Sequence, residues 1–416
     1  MVRRTVRNAA VMTLAAGCLL SSAGMSRASQ STGAGAAQVG ANRCRNPLPA
    51  PNLPSGAQAT DLLWPQSKMG LGAAGVWYLS RGKGVTVAVI DTGVDKANPV
   101  FGPDTVLSGP SVVDLGDSAN YDCDGHGTAV AAIIAGRENG VDGFSGVAPD
   151  ATVLPIRQTD TVAKPGSAVR LADAIRTATA AGARVITISI GTTEDSPDLR
   201  SAVQDALAHD VVVVAAAGTG GPASATTRPN AKFFPAAIPG VLAVGSVDRD
   251  GNASSFAQKG VGAVIAAPGG RMAVPAAGYP GALTAEQGTG FAAAFAAGTA
   301  ALVLSYRPTL HNWQVVQRLE VTADRPASGA LDASVGWGVV NPYRAVSTVL
   351  PDEGRPDPSL GPDYRVEPAS AAVPGNQRTM QQVVLGVAGG GVLMLAVPVI
   401  TAAVRRGRIR GTRAGV

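Results

Sequence analysis

Aromatic residues account for only 4% of the 416-residue sequence, and charged residues for only 15%. Glycine is abundant at 52 residues, and alanine is frequent as well. This composition disfavours a β-sandwich filled by large side chains and favours closely packed helices and strands. No internal repeat is evident. A chain of this length can bury one large core without being divided into two domains.

Acidic residues are absent from the N-terminal segment. A basic start at Met1–Arg7 is followed by an apolar run up to about Met25. Small residues at a cleavage site near Ala28 come next. This order predicts a secretory signal peptide at residues 1–28. A retained membrane helix is the alternative. Cys18 lies in a stretch that faintly resembles a lipoprotein cleavage box.

Charge is also missing from residues 383–404, a mostly apolar stretch of 22 positions that is long enough to cross a bilayer as a helix. A basic tail at 405–416 follows, with five arginines and no acid. These arginines predict a cytoplasmic C-terminus and an extracytoplasmic globular part at the cell membrane. Without the nine arginines of the two ends the net charge of +5 becomes −4. The basic balance therefore reflects topology and does not predict nucleic-acid binding.

Cysteine is scarce, with three residues in the chain. If Cys18 is lost with the signal peptide, Cys44 and Cys123 remain, an even number in an oxidising compartment. We expect them to form a disulfide, and two free thiols are the alternative. By the chain-entropy argument, closing so long a loop stabilises the fold by about 4–5 kcal/mol.

Apolar runs typical of buried strands in parallel sheets recur from about Asp61 onward. They are residues 84–90, 151–156, 185–190, 211–216 and 241–245, and helical stretches such as 167–181 and 199–208 fall between them. Strands that alternate with helices predict an α/β fold with helices on both faces of the sheet. We expect an N-terminal extension at 29–60, the α/β domain at 61–350 and a proline-rich linker at 351–382.

Three short motifs combine glycine with polar residues. Asp91-Thr92-Gly93 directly follows the first buried strand, where sites form in open α/β sheets. Asp124-Gly125-His126-Gly127-Thr128 sets a histidine between glycines that allow close approach. Gly288-Thr289-Gly290 opens an alanine-rich helix. The first motif alone is weak evidence, whereas the three together are a strong signal.

These residues resemble the subtilisin-like serine proteases, and within them the mycosins, which are associated with type VII secretion in actinobacteria. The likeness to mycosins rests on Asp122–His126, Gly143–Pro149 and Gly336–Pro342, on a cysteine in the extension, and on the C-terminal span with its arginine tail. The resemblance covers about residues 44–410. It implies a subtilisin-like three-layer fold with a mainly parallel central sheet.

The resemblance also implies roles for individual residues. Asp91 matches the triad aspartate, and His126 matches the general base and acid. Ser189, Ile190 and Gly191 match the segment that binds an extended substrate backbone along a sheet edge. Neither a cofactor nor a metal ion is implied.

The catalytic serine is missing, since its position is Gly290. Thr219 stands where the family has its oxyanion asparagine, and Ala294 stands where a proline usually follows the two alanines. In a subtilisin, loss of the serine costs about 2 × 10⁶ in kcat, and loss of the oxyanion donor costs roughly 10²–10³. Three departures at one site indicate release from proteolysis.

A different hydroxyl would be needed for catalysis. Thr289 is adjacent, but successive helix residues point about 100° apart, so a register slip would be needed to present it to His126. Ser254 and Ser255 are expected to be ordinary turn residues. Four acids could suggest a calcium loop, but their spacing lacks the EF-hand pattern, so we expect a solvated loop. They are Asp114, Asp117, Asp122 and Asp124.

The sequence thus predicts a membrane-anchored, mycosin-like pseudoprotease with a structural or peptide-docking role. Its expected partners are components of a type VII secretion membrane complex, with extended peptide segments as further candidate ligands. An active serine-type endopeptidase that processes secreted proteins is the alternative. A decayed paralogue with no partner is a third interpretation.

Overall fold

The structure is a computed structural model. The structure describes residues 44, 48, 50–52, 61–138, 143–163, 167–219, 232–257, 264–326 and 331–350. The predicted signal peptide, the linker, the membrane span at 383–404 and the basic tail lie outside the described residues.

Six parallel strands form the central sheet, in the order β2-β1-β3-β4-β5-β6. They are β1 Thr86–Asp91, β2 Thr152–Arg157, β3 Val185–Ile188, β4 Val212–Ala216, β5 Leu242–Val247 and β6 Ile265–Pro268. The five apolar runs of the sequence are therefore strands, as predicted. An antiparallel hairpin of β7 Met272–Pro275 and β8 Leu283–Glu286 lies apart from this sheet. Strands β6, β7 and β8 are not predicted from the sequence, because they are short, rich in alanine and poor in the β-branched residues that mark β3.

Helices cover both faces of the sheet. They are α1 Trp64–Lys68, α2 His126–Ala135, α3 Ala168–Ala180, α4 Pro197–Ala208, α5 Thr289–Tyr306, α6 Asn312–Thr322 and α7 Pro342–Ser347, with a 3-10 turn at Val76–Tyr78. Alternate side chains of β1 point to opposite faces. Val87 and Val89 pack in the cluster that contains α2 and α5. Ala88 and Ile90 pack in the cluster that contains α3 and α4. This is the predicted three-layer α/β arrangement.

Helix α5 runs through the interior of the domain. Its residues from Thr289 to Leu304 are buried, and most of them are alanine or glycine. Small side chains let the helix lie close to the sheet and to α2. By length and composition α5 could cross a membrane, but 89% of its apolar window is buried in the domain. Its hydrophobicity is therefore that of a core helix.

The N-terminal extension is joined covalently to the domain. Cys44 and Cys123 form a disulfide across a sequence separation of 79 residues, as predicted. Asn52 Oδ1 accepts hydrogen bonds from the Thr284 hydroxyl at 3.1 Å and from the Ala285 amide at 3.0 Å. The described part of the extension thus contacts the β7–β8 hairpin as well as the segment before α2.

The acidic loop is only in part the solvated loop that the sequence suggests. Asp122 is only 3% exposed. Asp117 pairs with the Arg157 guanidinium at 2.6 Å and accepts a hydrogen bond from Tyr121. The Tyr121 hydroxyl, the Ser118 amide and Arg157 lower the pKa of Asp117 to about 2. The expectation of a solvated loop is wrong for Asp122, which a buried hydrogen-bond network holds. It agrees with Asp114, whose side chain is 71% exposed, and Asp117 is partly exposed at 29%.

Candidate active site

Asp91 is the last residue of β1 and is completely buried. Its position at the carboxyl end of a central parallel strand is the usual place for functional residues in such sheets. The Thr92 amide donates to Asp91 Oδ1 at 2.7 Å. The Ser189 hydroxyl donates to Oδ2. These two donors hold the carboxylate in place from the side of the sheet.

His126 is the first residue of α2. It follows Gly125, whose φ of 99° is in the left-handed region that favours glycine. A Cβ on the next residue, Gly127, would lie 2.1 Å from the Gly93 carbonyl oxygen. Both glycines are therefore required for the start of α2 to approach the end of β1.

Asp122 organises the loop that carries His126. Its Oδ1 accepts hydrogen bonds from the Thr92 hydroxyl and from the Asp124 and Gly125 amides, at 2.8 to 3.0 Å. Its Oδ2 accepts from the amide and the hydroxyl of Thr128. Burial raises the pKa of Asp122 against the opposing effect of these hydrogen bonds. The sequence analysis misses this role, and the only signal for it is an aspartate four residues before the histidine.

Asp91 and His126 form a bonded pair. The Nδ1 atom of His126 lies 2.9 Å from both carboxylate oxygens of Asp91. Burial opposes protonation of the imidazole, but the charge and hydrogen bond of Asp91, with weaker effects of Asp124 and Asp122, leave the pKa of His126 raised. The His126 side chain is 16% exposed, so the imidazole is accessible from the cleft.

Gly290 faces this pair from the first turn of α5. A Cβ built on Gly290 would lie 3.1 Å from Cε1 of His126. It would also lie 2.9 Å from the carbonyl oxygen and 3.0 Å from the Cβ of Ser189. Side chains do not normally approach that closely, so a serine here would require a small displacement of Ser189 or His126. No hydroxyl reaches His126 from position 290.

The remaining hydroxyls of the site are bonded elsewhere. Thr219 and Thr289 pair with each other, with their hydroxyl oxygens 3.2 Å apart. Thr289 is only 2% exposed, and it therefore does not face the cleft as a nucleophile would. The Ser254 hydroxyl pairs with that of Ser246 at 2.8 Å in a buried turn.

The segment Ser189–Gly191 lies beyond the end of β3 and next to the pair. The Ile190 carbonyl accepts a hydrogen bond from Gln158 at 2.8 Å. Thr192, directly after the segment, forms an antiparallel bridge with Phe234. These contacts fix the segment beside Asp91 and Gly290, and its use in peptide binding stays a prediction. No group of three or more potential metal ligands occurs among the described residues.

Comparisons with known proteins agree with this geometry. Residues 82–338 match the Subtilase family. The chain is 35% identical to Mycosin-1 of Mycobacterium tuberculosis over 362 residues, which cover 76% of this chain and 79% of that protein. It is 36% identical to Mycosin-4 of the same organism over 382 residues, which cover 82% and 81%.

A solved structure gives the same result. The serine protease MycP1, described as an essential component of the type VII (ESX-1) secretion system, superposes with a TM-score of 0.63 at 31% identity. The superposition covers 73% of this chain and 94% of MycP1. The chain therefore belongs to the subtilase family of serine proteases and, within it, to the mycosins.

Proposed function

We propose that this chain is a non-proteolytic, membrane-anchored component of a type VII secretion system. In this proposal its subtilase domain holds partner or peptide segments without cutting them. The association with secretion is supported by the similarity to MycP1, which is described as a component of such a system. The domain at 61–350 would stand outside the membrane, anchored by the span at 383–404 with the C-terminus in the cytoplasm.

The observation that carries the non-proteolytic role is Gly290. The backbone places this residue opposite His126, yet it offers no atom that could attack a carbonyl. In a subtilisin, loss of the nucleophile alone reduces kcat by about 2 × 10⁶. Residue 219 is a threonine where the family has its oxyanion asparagine, so the side-chain amide that usually stabilises the oxyanion is also missing. The Thr219 hydroxyl is bonded to Thr289. The two losses act on the same transition state.

An active endopeptidase is the second candidate. The observation in its favour is the intact Asp91–His126 pair, with Nδ1 at 2.9 Å from the carboxylate. Such a pair activates a hydroxyl in serine proteases. Catalysis would then require a hydroxyl or water from outside position 290.

One experiment separates the two candidates. The full chain, purified with detergent, is treated with a fluorophosphonate probe and a peptide library. We expect no labelling and no cleavage. Labelling or turnover that disappears in His126→Ala would contradict the proposal.

The matched positive control is the double variant Gly290→Ser and Thr219→Asn. It restores a nucleophile and an oxyanion donor on the same backbone, and we expect labelling that depends on His126. Because a Cβ at 290 meets Ser189 and His126 at about 3 Å, the recovered rate should stay below that of an intact subtilase. A folded double variant without any labelling would show that the cleft has lost more than these two groups.

A further inference from the structure

A cavity of about 130 Å³ lies beside His126, and Asp91 does not line it. Its walls come from the N-terminal extension, the start of helix α2 with the loop before it, the segment at Val162, the β7–β8 hairpin and helix α5. The N-terminal extension contributes Leu48 and Asn52, the β7–β8 hairpin contributes Glu286, and helix α5 contributes Phe291. The proposed holding of peptide backbone at 189–191 does not use these walls.

Two carboxylates face the cavity, Glu286 and Asp124. Asp124 Oδ2 accepts a hydrogen bond from the Val162 amide at 3.1 Å. The Glu286 side chain has neither a hydrogen bond nor an ion pair with any described residue, and the residue is partly buried. No lysine or arginine belongs to the described residues that line the cavity. A half-buried carboxylate that has no ion pair with a described residue favours a cationic ligand, because such a ligand offsets the cost of its burial.

The effects of His126 and Asp124 on Glu286 are consistent with a cationic ligand. Burial raises the pKa of Glu286, His126 opposes this rise and Asp124 adds to it. The groups facing a ligand in the cavity are thus Glu286, Asp124 and the His126 imidazole, with Asp91 behind the imidazole. The acids outnumber the imidazole, so the cavity carries net negative charge even when His126 is protonated.

The apolar part of the wall fits a long aliphatic stem. Leu48 and Phe291 lie at the cavity together with Ala129, Ala276 and Ala277. Lysine and arginine bury their methylene groups along such surfaces and leave the charged end in contact with polar atoms. A volume of about 130 Å³ is of the order that one such side chain requires.

We propose that this cavity binds a lysine or arginine side chain of a peptide held in the cleft, and that Glu286 determines the preference for a cation. The inference rests on the proposed function, since it needs a peptide held beside His126. It adds a chemical class of ligand to that function: extended segments with a basic residue.

The test uses the full chain purified with detergent and short fluorescent peptides that differ at one central position. The peptides carry lysine, arginine or norleucine, which keeps the stem and removes the charge. By fluorescence anisotropy we expect the lysine and arginine peptides to bind about tenfold more tightly than the norleucine peptide. This preference should shrink with added salt.

The variant Glu286→Gln should lower the preference to about threefold or less. The matched control Asp104→Asn removes an exposed carboxylate that does not line the cavity, and it should leave the preference unchanged. The charge-reversing Glu286→Lys should instead prefer a peptide with central glutamate. Thermal unfolding of each variant verifies that the fold is retained.

Equal binding of the lysine and norleucine peptides by the folded wild-type chain would overturn the inference and leave the non-proteolytic role intact. Failure of all peptides to bind below about 1 mM would overturn it as well. An unchanged preference in folded Glu286→Gln would show that Glu286 does not determine the preference for a cation, and it would overturn that part of the inference. Cleavage of any peptide, detected by mass spectrometry, would contradict the proposed function but not the preference.

Discussion

His126 keeps its bond to Asp91 although no hydroxyl at position 290 faces it. The bond joins the end of β1 to the start of α2, so it connects two elements of the core as well as two catalytic positions. Loss of the imidazole would leave a completely buried carboxylate with fewer donors. Under the proposed function, that cost gives a physical reason for the pair to be kept even though no peptide is cut.

The raised pKa of His126 predicts a dependence of stability on pH. A raised pKa means that the folded state binds the proton more tightly than the unfolded state does. The stabilisation is therefore complete below the ordinary value of 6.5 and is lost as the pH rises through the higher value in the folded state. Denaturant unfolding between about pH 6 and pH 8 should show a decrease in the free energy of unfolding.

Variants are compared by the change in their free energy of unfolding between about pH 6 and pH 8, and not by its absolute value. His126→Gln should lose the decrease over this range, whereas His209→Gln, which removes an exposed imidazole, should keep it. A wild-type free energy that rises from about pH 6 to pH 8 relative to His126→Gln would contradict the direction of the shift.

At the scale of elements, helix α5 depends on small residues. It carries Gly290 at its start and packs against α2 and the sheet along its length. At Gly298 a Cβ would lie 2.7 Å from the Cβ of Val147 and 3.2 Å from its Cγ1. The close packing of α5, and hence the position of Gly290 beside His126, rests on the absence of side-chain atoms at such points.

Gly298→Ala is therefore expected to destabilise the domain. Alanine has a better helix propensity by about 0.5–1 kcal/mol, but overpacking of a tight core costs about 1–3 kcal/mol. We expect overpacking to dominate and the free energy of unfolding in urea to fall by about 1–2 kcal/mol. Gly290→Ala, whose Cβ meets atoms at 2.9 to 3.1 Å, should cost less. An alanine at 298 that raises stability would show that Val147 moves away freely.

Some elements of the fold could be predicted from the sequence, and others depend on tertiary contacts. Strands β1 to β5 and helices α3, α4 and α5 were predictable, because continuous apolar runs and their alternation with helices depend on local pattern. The burial of Asp122 was not, since it depends on five donors from three loop and helix segments. The same holds for the Ser189 hydroxyl on Asp91 and for Thr219 paired with Thr289. Motifs located the candidate site, and tertiary contacts determined where each hydroxyl points.

At the scale of the whole molecule, different segments of the chain are predicted to have different roles. The apolar and basic C-terminal segments predict attachment to the membrane. The subtilase domain has a cleft in which His126 is bonded to Asp91 and in which Gly290 has no side chain. In the proposed function, presence of the folded domain matters and its catalysis does not. Removal of the His126 imidazole from a domain that stays folded should then leave the function intact. Detachment of the domain from the membrane should abolish it.

Deletion of the chain is expected to impair assembly of, or export through, the type VII secretion system of its host. Complementation with His126→Gln, which removes the imidazole and keeps a hydrogen-bond donor for Asp91, should restore assembly, because no catalytic step is needed. A chain that ends after residue 350, and so lacks the predicted anchor, should fail. Co-purification of the membrane complex on native gels measures the outcome. Unchanged assembly in the deletion strain would favour a decayed paralogue without a partner.

The disulfide of the extension has a consequence for covalent connectivity. Together with the backbone from Cys44 to Cys123 it makes a closed ring of chain that includes β1 and Asp91, and His126 follows three residues later. A single cut of the backbone anywhere in this ring opens it without separating the two pieces. The extension with Leu48 and Asn52 thus stays fastened to the wall of the cleft after a nick by a foreign protease, until a reductant releases it.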